Sequence, residues 1–221
     1  MTRQIVYLHG FASSARSSKA VWFAERAREA GAGFVCPDLN LPDFSTLTIS
    51  RMLDDVDRIL ARLPDGPVAL VGSSLGAIVA LFAAHANPSR GTSQVIDRLV
   101  LLAPALNLIP GLEAFFGPER LDDWRRTDSC DVFHFGEQRM RSLRFGFIED
   151  VRRFDVDALE VSLPIVVYQG RRDQLVDVAT VERWAASRPN VDLRLLDDDH
   201  QLLSSLPAMW EGMRGFLSLE A

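Results

Sequence analysis

The chain has 221 residues, a formal net charge of −6, and 48% hydrophobic against 24% charged residues. These proportions sit on the globular average and exclude a disordered, collagen-like or coiled-coil chain, and the length suits one substantial core and is short for two. The acidic balance argues against a dedicated nucleic-acid binder, and two cysteines make no disulfide framework.

In chain order, Ile5–Leu8 is an apolar run ending near a Gly and reads as a buried strand. Residues 18–30 place Ala20, Val21, Phe23, Ala24, Ala27 and Ala30 at helical spacing, and Gly31 and Gly33 stop the pattern. Residues 33–36 form a second strand closed by Pro37, and residues 48–63 carry one apolar face, from Ile49 to Leu63, opposite Asp and Arg. Residues 68–71 are a third strand, residues 75–86 a helix apolar almost all round, and residues 99–102 a fourth strand. The rhythm then breaks across residues 107–161, which hold seven of the thirteen Phe and Trp124 but no clean strand pattern. It resumes with strands at 165–168 and 191–196 and helices at 178–187 and 207–217. Such alternation predicts an α/β fold of about six mostly parallel strands with helices on both faces, the whole of 1–221 forming one domain. Residues 107–161 are too long for a plain loop and read as a helical cap inserted over the strand ends.

In such sheets ligands bind beyond the carboxyl ends of the strands, so the loops there are where chemistry is sought. After the third strand stands Gly72-Ser73-Ser74-Leu75-Gly76, a G-x-S-x-G pattern between predicted strand and predicted helix. A sharp strand-to-helix turn would project the Ser74 hydroxyl above the sheet, with glycines allowing close approach. The competing reading is a Ser-rich turn that caps the helix. A serine nucleophile needs a base oriented by a third group. Of the four histidines, His85 falls inside a helix and His134 in the irregular region, while His9 ends the first strand. His200 follows the last strand, at the edge where Ser74 emerges, and is the candidate base. Asp173, in the loop after the 165–168 strand, is the candidate orienting acid. Asp177 is explained by capping a helix, and Asp197, Asp198 and Asp199 read mostly as a solvated acidic turn. The backbone N–H groups of Leu75 and Phe11 are the candidate donors to an oxyanion, with His9 bracing the Phe11 loop.

The segment Tyr7-Leu-His-Gly-Phe-Ala-Ser-Ser14, then Ser18-Lys19-Ala20, the 72–76 elbow and a late Asp and His together resemble the α/β-hydrolase superfamily, with small bacterial YqiA-like esterases the nearest group. The likeness is weakest across 107–161, and Ala77 stands where the group often has a second Gly. The resemblance implies an esterase with Ser74, Asp173 and His200 as its triad, a trimmed sheet of order 2-1-3-4-5-6, and no cofactor or metal. The expected activity is cleavage of a small-molecule carboxylic ester through an acyl-enzyme. The alternatives are an acyl thioesterase or perhydrolase on the same residues, or a non-catalytic binding module on the same fold. The cap's aromatic residues either line an acyl pocket, with Phe115 and Phe116 as candidate walls, or form the cap's own core. No apolar run reaches the roughly 18 residues of a membrane span, and MTRQIVYLHG does not read as a signal peptide, so a cytoplasmic location is expected. Arg outnumbers Lys 23 to 1.

Overall fold

Six strands pair side by side, all parallel, in the order β2-β1-β3-β4-β7-β8: β1 (Gln4–Leu8), β2 (Gly33–Val35), β3 (Pro67–Ser73), β4 (Val95–Leu102), β7 (Ile165–Gly170) and β8 (Val191–Leu196). The computed structural model describes residues 2–87 and 95–219. The expected strand order is the one found. Strands covered on both sides alternate between two cores, as a two-residue side-chain period requires. Val6, Leu8, Leu70, Leu99 and Val167 face α2 (Ile49–Leu60), α3 (Leu75–Ala86) and α7 (Val178–Ala186). Ile5, Tyr7, Val71, Val100 and Tyr168 face α1 (Ser18–Glu29) and α8 (Leu206–Leu217). β4 begins four residues earlier than its apolar run, because the polar residues there have partners. Asp97 accepts two bonds from the Arg3 guanidinium at 2.6 and 2.9 Å, and Arg98 Nε donates to the Phe216 carbonyl at 2.7 Å.

Residues 107–161 are not wholly helical, which corrects the expectation for them. Helices α4 (Leu108–Phe116), α5 (Pro118–Thr127) and α6 (Gly146–Val151) flank an antiparallel hairpin, β5 (Cys130–His134) and β6 (Arg139–Leu143). The insertion is tied to the main sheet's loops at several points. Phe135 N–H donates to the Ala12 carbonyl at 2.7 Å, and Arg144 N–H to the Ser45 carbonyl at 2.9 Å. Arg141 pairs with Asp43 at 3.0 Å. Asp150 of α6 accepts from Ser50 N–H at 3.0 Å and Ser50 Oγ–H at 2.5 Å, so a carboxylate from the insertion occupies the N-terminal turn of α2, where helix N–H groups otherwise lack partners.

Candidate active site

The turn between β3 and α3 places Ser74 at φ 54° and ψ −115°, a conformation a side chain rarely adopts. The two glycines of the motif allow it. A Cβ on Gly76 would lie 2.1 Å from the Leu8 carbonyl oxygen, and one on Gly72 would lie 2.5 Å from Ala77 Cα. Neighbouring segments hold the turn from outside: Ser74 N–H donates to the Leu102 carbonyl at 2.9 Å, and Ala105 N–H to the Ser74 carbonyl at 3.4 Å. Ser74 precedes α3 but makes no side-chain capping bond to it, so the capping reading does not describe its hydroxyl. Its Oγ lies instead 3.2 Å from His200 Nε2.

His200 hangs from the loop after β8, and its Nδ1 lies 2.8 Å from Asp173 Oδ2. A carboxylate can only accept here, so Nδ1 carries the hydrogen and Nε2 is left as an acceptor facing the Ser74 hydroxyl. Asp173 is saturated: Oδ1 accepts from Leu175 N–H at 2.8 Å and Val176 N–H at 2.9 Å, and Oδ2 also accepts from Gln169 Nε2 at 2.8 Å. Its side chain is 0% exposed and that of His200 13%. Burial pushes the Asp173 carboxyl upward, but the His200 bond and charge and the Val176 and Gln169 donors outweigh it, leaving the group below the ordinary carboxylate range. Gln169 is a polar residue fully buried at the end of β7; the sequence offers only the hint of a Gln that closes an apolar run, and the grip on Asp173 comes from the packing.

Asp177 caps α7 through Ala179 and Thr180 N–H. Asp198 departs from the solvated turn expected of it: it is buried and accepts from Asp199 N–H at 2.8 Å and Ser205 N–H at 2.9 Å, joining the His200 loop to the start of α8. His85 bonds the Glu160 carbonyl, and His134 is buried in the hairpin with its ring edge-on to Phe44. His9 is buried; its Nε2 accepts from Leu39 N–H at 3.0 Å while its Nδ1 lies 3.0 Å from the Gly10 carbonyl, which clamps the loop after β1 to the loop after β2. Gly10 lies against the elbow, since a Cβ there would be 3.3 Å from Ser74 Cβ. The N–H groups of Phe11 and Leu75 donate to no acceptor among the described residues. The Phe11 ring stacks on Phe147 of α6 with centroids 5.2 Å apart, so the insertion reaches the loop that carries the Phe11 amide.

Phe116 is buried against Trp124, centroids 5.0 Å apart, and belongs to the core of the insertion, whereas Phe115 is 59% exposed and meets Phe116 edge-on. A cavity of about 240 Å³ in the insertion is lined by Pro118, Leu121, Arg125, Phe145 and Arg152 among others, and neither Phe115 nor Phe116 borders it.

Comparison with known proteins bears on the family and the fold. The palmitoyl-protein thioesterase ABHD10, mitochondrial, of Bos taurus is 22% identical over 213 residues, covering 90% of this chain and 67% of that one. Its Rattus norvegicus counterpart is 25% identical over 187 residues, covering 78% and 59%, so the chain spans roughly three fifths to two thirds of these relatives. Among solved structures, the mouse alpha/beta hydrolase domain-containing protein 10 superposes with a TM-score of 0.77 at 22% identity, covering 97% of this chain and 89% of that one. Est1E from Butyrivibrio proteoclasticus, with ferulic acid bound, gives 0.80 at 19% identity, covering 97% and 88%. Likeness at these identities shows the fold. Residues 5–217 match the model of the alpha/beta hydrolase family, and the chain belongs to that family.

Proposed function

We propose that this hydrolase cleaves carboxylic esters through Ser74, His200 and Asp173. The observation that carries the reading is the unbroken chain of contacts from Ser74 Oγ to His200 Nε2 at 3.2 Å and from His200 Nδ1 to Asp173 Oδ2 at 2.8 Å. As Ser74 Oγ bonds the acyl carbon, its proton passes to His200 Nε2, and the carbonyl electrons move onto an oxyanion met by the free N–H groups of Phe11 and Leu75. Collapse breaks the bond to the leaving alkoxide, which takes the proton from His200. A water then gives its proton to His200 and attacks the acyl carbon; the bond to Ser74 Oγ breaks, His200 returns the proton to that oxygen, and the acid is released. Asp173 stays ionised throughout, holding the imidazole in one tautomer and stabilising its charged form. Residues 107–161 act as a cap within the one domain, and Phe115, the exposed member of its aromatic pair, meets the acyl chain while Phe116 packs in the cap's own core. Both cysteines are free, which suits a reducing compartment such as the cytoplasm. Among the described residues no helix is long and apolar enough to cross a membrane.

The names of the curated relatives favour a second reading, an acyl thioesterase on the same residues with a thiolate as leaving group. Para-nitrophenyl esters of rising chain length, run beside acyl-CoA thioesters, separate the two. The shared mechanism is tested with a fluorophosphonate probe. Wild type and Ser73→Ala are expected to label and turn over, while Ser74→Ala neither labels nor retains activity, losing on the order of 10⁴-fold or more in kcat. An unlabelled, folded wild type would favour a binding module, and equal losses in the two serine variants would unseat Ser74.

A further inference from the structure

The loop after β1 closes a tight turn, with Ser13 N–H donating to the Gly10 carbonyl at 3.3 Å. The third residue of that turn is Ala12, buried and at φ 53°. A turn with positive φ at that place favours glycine, and a residue with a side chain stays there only where its neighbours fix it. Phe11, just before Ala12, offers the N–H assigned above to the oxyanion. The turn lies against the elbow, since a Cβ on Gly10 would be 3.2 Å from the Ser73 carbonyl oxygen. What holds Ala12 comes from the insertion: Phe135 N–H, in the turn between β5 and β6, donates to the Ala12 carbonyl at 2.7 Å. Gly136 follows. Its φ is not positive, so the backbone there does not call for glycine. Close approach does: a Cβ on Gly136 would lie 2.6 Å from Ser14 Cβ and 2.8 Å from Ser14 Oγ.

We propose that the β5–β6 turn positions the oxyanion donor: Gly136 lets the Phe135 amide reach and hold the Ala12 carbonyl, which keeps the Phe11 N–H aimed beside Ser74. This rests on the triad reading above and gives the insertion a part in the chemical step besides covering the site. Donors stabilise an oxyanion to the extent that they are fixed before the charge develops, and removing one costs on the order of 10²–10³ in kcat. A donor on a strained turn loses its aim when the turn relaxes. The hairpin turn is stiff enough to prevent this. Glu137 N–H donates to both the carbonyl and Nδ1 of His134 at 3.1 Å, and Gln138 Nε2 donates to the Phe135 carbonyl at 2.6 Å. Other elements secure the residues on either side of Ala12. Asn40 Nδ2, from the loop after β2, donates to the Ser13 carbonyl at 2.7 Å, and the Phe11 ring meets Phe147 of α6 at 5.2 Å and Phe44 at 5.9 Å. The Ala12 carbonyl is left to the hairpin alone among the backbone donors of the described residues.

The test compares a para-nitrophenyl ester with its thionoester, in which sulfur replaces the carbonyl oxygen. It uses wild type, Gly136→Ala, Ser14→Gly and the double variant, with thermal melts of each. Attack of Ser74 Oγ on the thionoester moves the carbonyl electrons onto sulfur, a larger and weaker hydrogen-bond acceptor that gains less from aimed N–H groups. Gly136→Ala is expected to lower kcat on the oxygen ester by roughly 10–100-fold with KM little changed, and to slow the thionoester far less, so the ratio of the two rates falls. Ser14→Gly removes the Cβ that the new methyl group would strike. In that background Gly136→Ala should leave the ratio close to that of Ser14→Gly alone. A Gly136→Ala that melts earlier but slows both substrates alike would show a structural role and overturn the proposal, as would an equal fall of the ratio with Ser14 present or absent. Ser74→Ala is run alongside. If it keeps its activity, the triad reading fails and this one with it; if it is inactive and the ratio is unmoved in Gly136→Ala, this proposal alone fails. Should Gly136→Ala not fold, phenyllactic acid placed at position 135 by stop-codon suppression exchanges the Phe135 N–H for an ester oxygen and keeps the ring. The ratio should fall there too, and an unchanged ratio would overturn the proposal.

Discussion

Ser74 is held in a backbone conformation that costs on the order of 1–3 kcal/mol and is retained because β4, the loop after it and Leu8 all press on the turn. The neighbouring acid is arranged with equal completeness, every oxygen of Asp173 being used. Its carboxyl lies below its ordinary value in the folded chain, so its contribution to stability is complete above the unfolded value near 4 and is lost only as pH falls through the lower, folded one. Acid inactivation at milder pH therefore reports the imidazole. Activity is expected to fall on acidification as the general base takes up a proton, while circular dichroism at the same pH stays native. Chelators should leave the rate unchanged. Loss with EDTA that a divalent metal restores, or unfolding that tracks the activity, would contradict this account.

At the level of elements, the aromatic pair of α4 divides into two roles. Phe116→Ala empties a buried site against Trp124 and should cost about 3–5 kcal/mol, read as a lower urea midpoint, with relative rates across ester chain lengths preserved. Phe115→Ala should barely change stability but alter chain-length preference, by up to ~1–3 kcal/mol on the substrate that used the ring. An even effect of Phe115→Ala on every ester would remove it from the pocket. The parallel strands other than β8 were legible because each carries an apolar run closed soon after by Gly or Pro, whereas β8 alternates Val191, Leu193 and Leu195 with Asp192 and Arg194. α3 runs over the residues 75–86 expected of it. The hairpin in the insertion was not legible, for a physical reason. β5 does alternate, with Cys130, Val132 and His134 inward, but its outward residues include exposed Phe133, which blurs the two-residue period. Its partner, Arg139 to Leu143, is mostly polar. The positions of Ser74, Asp173 and His200 along the chain were legible because each follows a clear strand at one edge of the sheet. Gln169 and Asp198 were missed because their roles depend on burial created by β7, β8 and α8 together.

For the whole molecule, the alkaline stability profile carries the cost of burying a lone ammonium. Lys19 falls from 10.5 to about 8 on folding, so between those values the unfolded chain holds a proton that the folded chain has released, and stability rises with pH. The half-buried Cys36 thiol, raised from 9.0 to about 12, acts in the opposite sense above pH 9. A comparison with Lys19→Met cancels the thiol and isolates the lysine. Wild type should gain on the variant by up to about 3 kcal/mol between pH 8 and 10.5, measured from urea midpoints. A constant difference would mean that Lys19 is not buried as a charge.

β8 is the outermost strand of the sheet, hydrogen-bonded to β7 alone, and most of its residues are only partly covered. The loop it carries holds His200, whereas Ser74 projects from β3 in the middle of the sheet, 126 positions away in sequence. Outer strands open at lower free energy than central ones. A brief peeling of β8 from β7 would draw the imidazole out of reach while the nucleophile and its turn remain folded. Warming would then quiet this protein before it melts, and cooling would return it intact, with the serine chemically unspent.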